Sequence, residues 1–368
     1  MLFPSGHLLS MPHVLIVKCS AQGDVVRTSH FAGALRRRLG PDLRLSWLTA
    51  PSAGPLLGLN PHIDDLWFDI DATRDFIYDH VFSLEEDAAL VASVTALRAR
   101  QITGLVSAAD GSMRYTPDAA AWFDMSLVSR LGKETADRLK RENTLSHATI
   151  FAGLFGVSDV PFAFYGDPQL ENEARASRGD ARVSIGINPY AGPRWPSKEL
   201  RSEVLCALVA RLVSVAESLG NVRIVLLGAG AERIRNLTLA RSIASDTIVV
   251  PNTDDDVMRF AALVGTLDYL ITSDSLALHL AVAQSIPFLA FFAPTSAAEI
   301  DDRGFGTKLV STATDYASYR ADADNRTITS DRILNLAVEH RPDLFSAFAE
   351  YSSRGSTFSH PTDRSRFG

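Results

Sequence analysis

Residues 14–39 read VLIVKCSAQGDVVRTSHFAGALRRRL, and this stretch decides the class of fold. It opens inside a short apolar run, His13 to Val17, rich in β-branched residues; a polar loop holding Gly23 follows, and then an amphipathic stretch. The pattern is strand, loop, helix. Phe31, Leu35 and Leu39 recur at four-residue spacing while Arg36, Arg37 and Arg38 occupy the other face, as expected of a helix covered on one side by a sheet.

The unit recurs along the chain. Leu43 to Leu48 reads as a strand, Ala53 to Leu59 as a short helix ended by Asn60-Pro61, and Asp65 to Phe68 as another strand. His80 to Leu84 and Ile102 to Ser107 add two more, flanking a helix from about Glu86 to Arg100. Between about Phe162 and Arg182 the pattern lapses into sequence rich in Pro, Gly, Asp and Glu, read as a linker. Alternation restarts with the strand Val183 to Asn188, a helix from about Ser197 to Leu219 and the strand Val222 to Leu227. A helix near Glu232 to Ala244, the strand Thr247 to Val250, a helix near Asp254 to Val264, the strand Tyr269 to Thr272, a helix from Ser275 and the strand Pro287 to Phe292 follow. Such alternation implies parallel sheets covered on both faces. The expected organisation is a first α/β domain over 1–170, a linker at 171–182, a second over 183–348 and a polar tail at 349–368. Residues 1–10, ahead of the second methionine Met11, carry no weight in this reading.

Composition narrows the function. The 368 residues are 46% hydrophobic and 21% charged, too apolar for a mainly disordered chain, and the net charge of -7 leaves no global basic field for a nucleic-acid backbone. Two cysteines, Cys19 and Cys206, are too few for a disulfide framework or a four-cysteine zinc site. No export signal and no bilayer-length apolar run is read, so a soluble, cytoplasmic protein is expected.

In doubly wound sheets ligands bind beyond the carboxyl ends of the strands, so the loops that open helices are the places to search. Four stand out. In Cys19-Ser20-Ala21-Gln22-Gly23-Asp24 an acidic residue beside a glycine can face a crevice as a general base, or simply complement a helix dipole. Around Asn188 to Lys198, Arg194 and Lys198 bring two cations to a helix start, suiting an anionic ligand such as a diphosphate, or stand as solvated bases on a capped helix. Gly228-Ala229-Gly230-Ala231-Glu232 is an incomplete dinucleotide fingerprint, with Arg233 where the third glycine belongs, which weakens a nicotinamide dehydrogenase reading. Glu232 there can accept from a ribose or be an ordinary surface glutamate. In Thr272 to Ala281, a polar cluster precedes an apolar helix, offering free N–H groups to phosphate, with Ser275 as a plain cap and His279 as a packed histidine for the alternative. Asp69-Ile70-Asp71 and Asp322-Ala323-Asp324 match a D-x-D metal pattern but lie away from these loops.

Together these loops, in this order, resemble glycosyltransferase family 9, the ADP-heptose lipopolysaccharide heptosyltransferases, over about residues 14 to 300. Residues 14–39 look like the family's opening strand and S-x-x-G-D loop, and LSWLTAPSAGPLLGLNPHIDDLW (45–67) like its second strand. IGINPYAGPRWPSK (185–198) is similar to its donor-domain opening, and SDSLALHLAVAQSIPFLAFFAPT (273–295) to its D-T-G-x-x-H segment. The resemblance implies the GT-B architecture, two Rossmann-like doubly wound domains facing a central cleft. It further implies a metal-independent inverting glycosyltransferase acting in lipopolysaccharide biosynthesis, moving heptose from ADP-heptose to a saccharide or glycoconjugate acceptor, with no cofactor beyond that donor. Asp24 is then the catalytic base, with Gly23 and Arg27 on the acceptor side. Asn188, Arg194, Lys198, Glu232, Asp274, Ser275, Leu276, Ala277 and His279 hold the donor. Departures from the pattern are Ser275-Leu276 in place of Thr-Gly, Tyr190 where a small residue is common, and Arg27 in place of a frequent His. Two alternatives stand beside this reading: the same fold using another sugar nucleotide on a small-molecule acceptor, and a non-catalytic sugar-nucleotide-binding protein. No nucleic-acid partner is expected; a peripheral contact with the inner membrane surface and the oligomeric state are left open.

Overall fold

A computed structural model describes residues 11–158, 160–192, 195–254 and 256–345. The chain forms two six-stranded sheets. The first takes β1 (His13–Val17), β2 (Arg44–Leu48), β3 (Asp65–Trp67), β4 (Ile77–Ser83), β5 (Arg98–Ser107) and β6 (Met113–Tyr115) in the order β3-β2-β1-β4-β5-β6. The second takes β7 (Val183–Asn188), β8 (Val222–Leu226), β9 (Ile248–Val249), β10 (Tyr269–Ser273), β11 (Phe288–Phe292) and β12 (Gly306–Val310) in the order β12-β11-β10-β7-β8-β9. Every pairing is parallel except β5 with β6. β1, β8, β10 and β11 are buried along their whole length, as apolar strands covered on both faces must be.

Strand order reverses between β1 and β4 in the first sheet and between β7 and β10 in the second. These are the points where doubly wound sheets open a crevice. The two halves meet there directly: the helix Gln22–Leu39 packs on the helix Leu276–Ala283, and Val26 and Leu56 join an apolar cluster otherwise built mainly from the second half, including Leu278 and Ala281.

Several boundaries differ from the sequence reading. The helix expected over 86–100 stops at Thr95, and Arg98 to Gln101 already belong to β5, paired with Ile77 to His80. That end of the strand is largely exposed, so its polar residues lack the apolar period that marks a strand. The stretch read as a linker carries the helix Pro168–Ala176, with Asp167 capping the N–H groups of Gln169 and Leu170 and proline at the first position. Leu170 and Ala174 pack on Ala262 and Leu263, too small an apolar face to announce itself in sequence. The helix expected from Ser197 starts at Ser202, after a single turn at Pro196–Lys198. Missed altogether were the antiparallel β6, the edge strand β12, and the helices Lys133–Glu142, His147–Phe155 and Ser330–His340. No helix among the described residues is long and apolar enough to cross a membrane. Residues 1–10 and the tail at 349–368 lie outside the described residues.

Candidate active site

A cleft of about 1120 Å³ opens between the two sheets and is lined from both. Its floor on the first side is the loop after β1. Glu85, at the end of β4, anchors that loop from beneath: one carboxylate oxygen accepts from Lys18 Nζ at 2.9 Å, Cys19 N at 2.6 Å and Ser20 N at 3.0 Å, and the other from Ser20 Oγ at 3.1 Å. Four bonds to a buried carboxylate fix a polar loop that has no ladder of its own. Cys19 is held within it, its thiol pushed up to about 12 by burial and by the adjacent Glu85, so it is no nucleophile.

Asp24 rises from this loop in the first turn of its helix, favourably placed on the helix dipole. Arg27 NH2 lies 2.7 Å from its Oδ1 and Lys18 Nζ 3.8 Å from its Oδ2. Burial pushes the Asp24 carboxyl up, but Arg27, Lys18, His279 and Lys198 together outweigh it and hold the group below the ordinary aspartate value. The carboxylate is therefore ionised at neutral pH and, with its side chain 35% exposed, open to the cleft. Gly23 has a different use. A Cβ built there falls 2.6 Å from His279 Cδ2 and 3.5 Å from Leu276 Cα, so the absent side chain is what lets the two helices close on each other.

The opposite wall is built from the ends of β7 and β10. Lys198 Nζ donates to Asp274 Oδ2 at 2.7 Å and to Asp274 O at 3.2 Å, while Thr295 Oγ1 donates to the same carboxylate oxygen at 2.8 Å. Burial opposes the Asp274 charge, but Lys198, His279 and these hydrogen bonds hold its carboxyl far below the usual range. His279 is buried and its pKa is lowered to about 4, by burial first and then by Arg27, so it faces the cleft as a neutral ring. Ser275 precedes the helix Leu276–Ala283 without capping it by its side chain. The backbone N–H groups of Leu276 and Ala277, in the helix's first turn, have no intrahelical acceptor and line the cleft.

Asn188, expected to touch the donor, spends its amide within the protein, on Ser275 Oγ at 2.9 Å and Tyr190 O at 3.1 Å, with Thr272 Oγ1 at 3.4 Å. It ties the loop after β7 to the loop after β10. Tyr190 is buried beneath the Arg235 guanidinium, 4.1 Å from its ring, and donates to Asn236 at 2.9 Å, so it packs the wall of the nucleotide end. Glu232 lines that end; burial and the neighbouring Glu199 raise its carboxyl. Arg194 lies outside the described residues. The D-x-D segments are far simpler than metal sites: Asp71 pairs with Arg74, Asp322 with Arg320 and Asp324 with Arg326. Among the described residues no three His, Cys, Asp or Glu side chains gather as a metal-holding group.

Sequence reasoning missed Glu85, the role of Lys18, and a set contributed by Glu299, Tyr319 and Lys140. Tyr319 donates to Glu299, whose other oxygen lies 3.9 Å from Arg27 NH1, linking the halves across the cleft. Glu85 alone had a legible signal, an acid directly after a central apolar strand. Glu299, Tyr319 and Lys140 sit in segments whose meeting depends on how the halves face one another.

No family model and no curated protein matches the chain. Solved structures do. A family 9 glycosyl transferase from Veillonella parvula matches with a TM-score of 0.67 at 16% identity, over 92% of this chain and 100% of that one. The fold is that of glycosyltransferase family 9. ADP-heptose LPS heptosyltransferase II from E. coli follows at 0.61 and 16% identity, over 92% and 99%. The E. coli heptosyltransferase WaaC, solved with ADP-2-deoxy-2-fluoro heptose, matches at 0.56 and 16% identity, over 89% and 99%. This chain therefore carries the GT-B arrangement of that family, with its cleft between the two sheets.

Proposed function

We propose that the protein is an inverting glycosyltransferase that takes its sugar from a nucleoside-diphosphate donor, ADP-heptose first among the candidates, without a divalent metal. One observation carries this reading: a carboxylate held ionised on one wall of the cleft, Asp24, faces a lysine and a free helix start on the other, Lys198 with the amides of Leu276 and Ala277. Transfer with inversion needs these two things on opposite sides of the anomeric carbon. Asp24 takes the proton of the acceptor hydroxyl as its oxygen bonds to that carbon. The bond to the diphosphate oxygen breaks on the far face, and Lys198 and the helix amides neutralise the charge left there. Glu232, at the nucleotide end, accepts from ribose hydroxyls. The known contents of two of the similar structures, ADP and an ADP-heptose analogue, support the choice of donor. The metal-free reading rests on the cation and amides that take the charge-neutralising role. A peripheral, cytoplasmic enzyme working on a glycoconjugate of lipopolysaccharide type fits this chemistry.

Thermal stabilisation by ADP, UDP, GDP, NAD, ADP-heptose and ADP-glucose, with EDTA and then with magnesium, tests the donor. The expected result is a shift with ADP in EDTA and a larger one with ADP-heptose. Asp24→Asn should keep that shift while release of nucleoside diphosphate from the donor falls by about 10²–10⁴-fold. A shift with NAD alone, or full turnover in Asp24→Asn, overturns the proposal.

A further inference from the structure

Arg27 stands between two carboxylates that belong to different halves of the molecule. One arm of its guanidinium, Nη2, meets Asp24 Oδ1 at 2.7 Å, three residues back on its own helix; the other, Nη1, faces Glu299 Oε2 at 3.9 Å across the cleft. Its Nε is buried without a partner among the described residues, and the Trp122 ring lies 5.4 Å away, so the two carboxylates set how the guanidinium is turned. The side chains of Arg27 and Glu299 are only 16% and 12% exposed, and solvent screens the pair weakly.

Glu299 is built into this position. It ends the single turn Ala297–Glu299, which follows β11 and starts with Ser296 Oγ accepting from Ala298 N. Two tyrosines pin the turn: Tyr316 Oη accepts from Ala297 N at 2.9 Å, and Tyr319 Oη accepts from Ser296 N at 3.1 Å while donating to Glu299 Oε1. Tyr319 is itself tied by its backbone N–H to Pro294 O at 2.7 Å. Burial and the glutamate push the Tyr319 hydroxyl well above its ordinary value, so it keeps the proton it shares with Glu299. One Glu299 oxygen is thereby spent within the second half, and the other is left to Arg27.

This division matters for the base. A guanidinium beside a lone carboxylate closes on it with two N–H groups, which would cover both Asp24 oxygens. Here Nη1 is turned toward Glu299, and Lys18 Nζ stays 3.8 Å from Asp24 Oδ2, beyond hydrogen-bond reach. We infer that Glu299 is a positioning residue for the base: by holding the second arm of Arg27 it keeps Asp24 Oδ2 open to the acceptor hydroxyl. This rests on the glycosyl-transfer reading above and adds to it a residue, on the opposite half, that orients the counter-ion of the base. Other charges lie around the trio: Arg27 also faces Asp274 and Tyr319, Asp24 also faces His279 and Lys198, and Lys140 faces Glu299. Only Asp24 and Glu299 come within ion-pair distance of Arg27 among the described residues.

The test crosses Glu299→Gln with Arg27→Lys, whose ammonium has no second arm to close. Release of nucleoside diphosphate from ADP-heptose gives kcat and donor KM, and thermal stabilisation by ADP checks folding and donor binding in each variant. Glu299→Gln should lower kcat about tenfold with donor KM unchanged, a part of the about 10²–10⁴-fold that a general base supplies. In the Arg27→Lys background the same change should cost no more than about twofold. Glu299→Asp, with its charge drawn back by one methylene, should lose less than Glu299→Gln and takes its place in the cycle if the glutamine variant does not fold. Crystal structures of the ADP-bound whole chain read the geometry without turnover: one arm on each carboxylate in the wild type, both arms on Asp24 in Glu299→Gln. Wild-type kcat in Glu299→Gln, an equal loss in both backgrounds, or an Arg27 that stays in place in the variant crystal overturns the inference. Full turnover in Asp24→Asn, or no turnover of any sugar nucleotide by the wild type, counts instead against the glycosyl-transfer reading, while the crystals still decide where Arg27 lies, so the two failures are distinguishable.

Discussion

Gly23→Ala adds one methyl group at the point where the two halves touch. Ordinary contact begins near 3.4 Å, and the new Cβ falls 2.6 Å from His279 Cδ2, so the pair must separate by about 0.8 Å. Leu276 Cα, at 3.5 Å, leaves no slack on the other side, and the His279 ring is buried with little room to swing. Overpacking of this kind costs about 1–3 kcal/mol. Alanine also returns about 1 kcal/mol over glycine inside a helix, so the net loss of stability is small, about 0–2 kcal/mol. Function pays more. The displaced helices carry Asp24 on one side and the Leu276 and Ala277 amides on the other, and an error near 1 Å in such a pairing costs about 10²-fold in rate. Denaturant unfolding and donor turnover measured side by side should therefore diverge: near-native stability with turnover reduced about 100-fold. An alanine variant that is more stable and fully active would refute the close approach and the alignment built on it.

Glu85→Gln should lower stability by about 3 kcal/mol in urea unfolding, because it breaks a buried ion pair with Lys18 under the β1 loop; an unchanged midpoint removes its anchoring role. Lys198→Met leaves the Asp274 carboxylate without its ammonium, and should destabilise more than Lys198→Met with Asp274→Asn, while both lose donor affinity; equal stabilities in this cycle dissolve the pair. His30 and His279 are buried, with pKa values lowered by burial from 6.5 to about 3 and about 4. Both are neutral folded and unfolded above pH 6.5; as pH falls below it the unfolded chain takes the protons first, so stability is lost through that window down to the folded values. Each costs about 1.4 kcal/mol per pH unit there. His30→Gln should reduce the slope of unfolding free energy against pH by one proton's worth, and an unaltered slope shows that His30 titrates normally.

Local sequence was enough to read alternating α/β halves, because burial leaves a period in the chain itself: β1, β7 and the helix Ser202–Leu219 were legible as apolar runs and faces. It was enough, too, to single out the loops after β1, β7, β8 and β10, since strand ends that open helices must carry any ligand. What those residues do for one another was decided by the tertiary structure. Asn188 was a candidate ligand by position, yet its donors close on Ser275 and Tyr190 once β7 and β10 are neighbours. Glu85 reaches the β1 loop from 65 to 67 residues away only because β4 lies beside β1. Lys198 finds Asp274 across 76 residues by the same logic in the second sheet. Arg27 with Glu299 and Lys140 with Tyr319 need one step more, the facing of the two halves. Burial periodicity is a property of neighbouring residues and is written locally; charge pairing depends on which distant strands and domains share a low-dielectric space, and that is fixed only when the chain has closed.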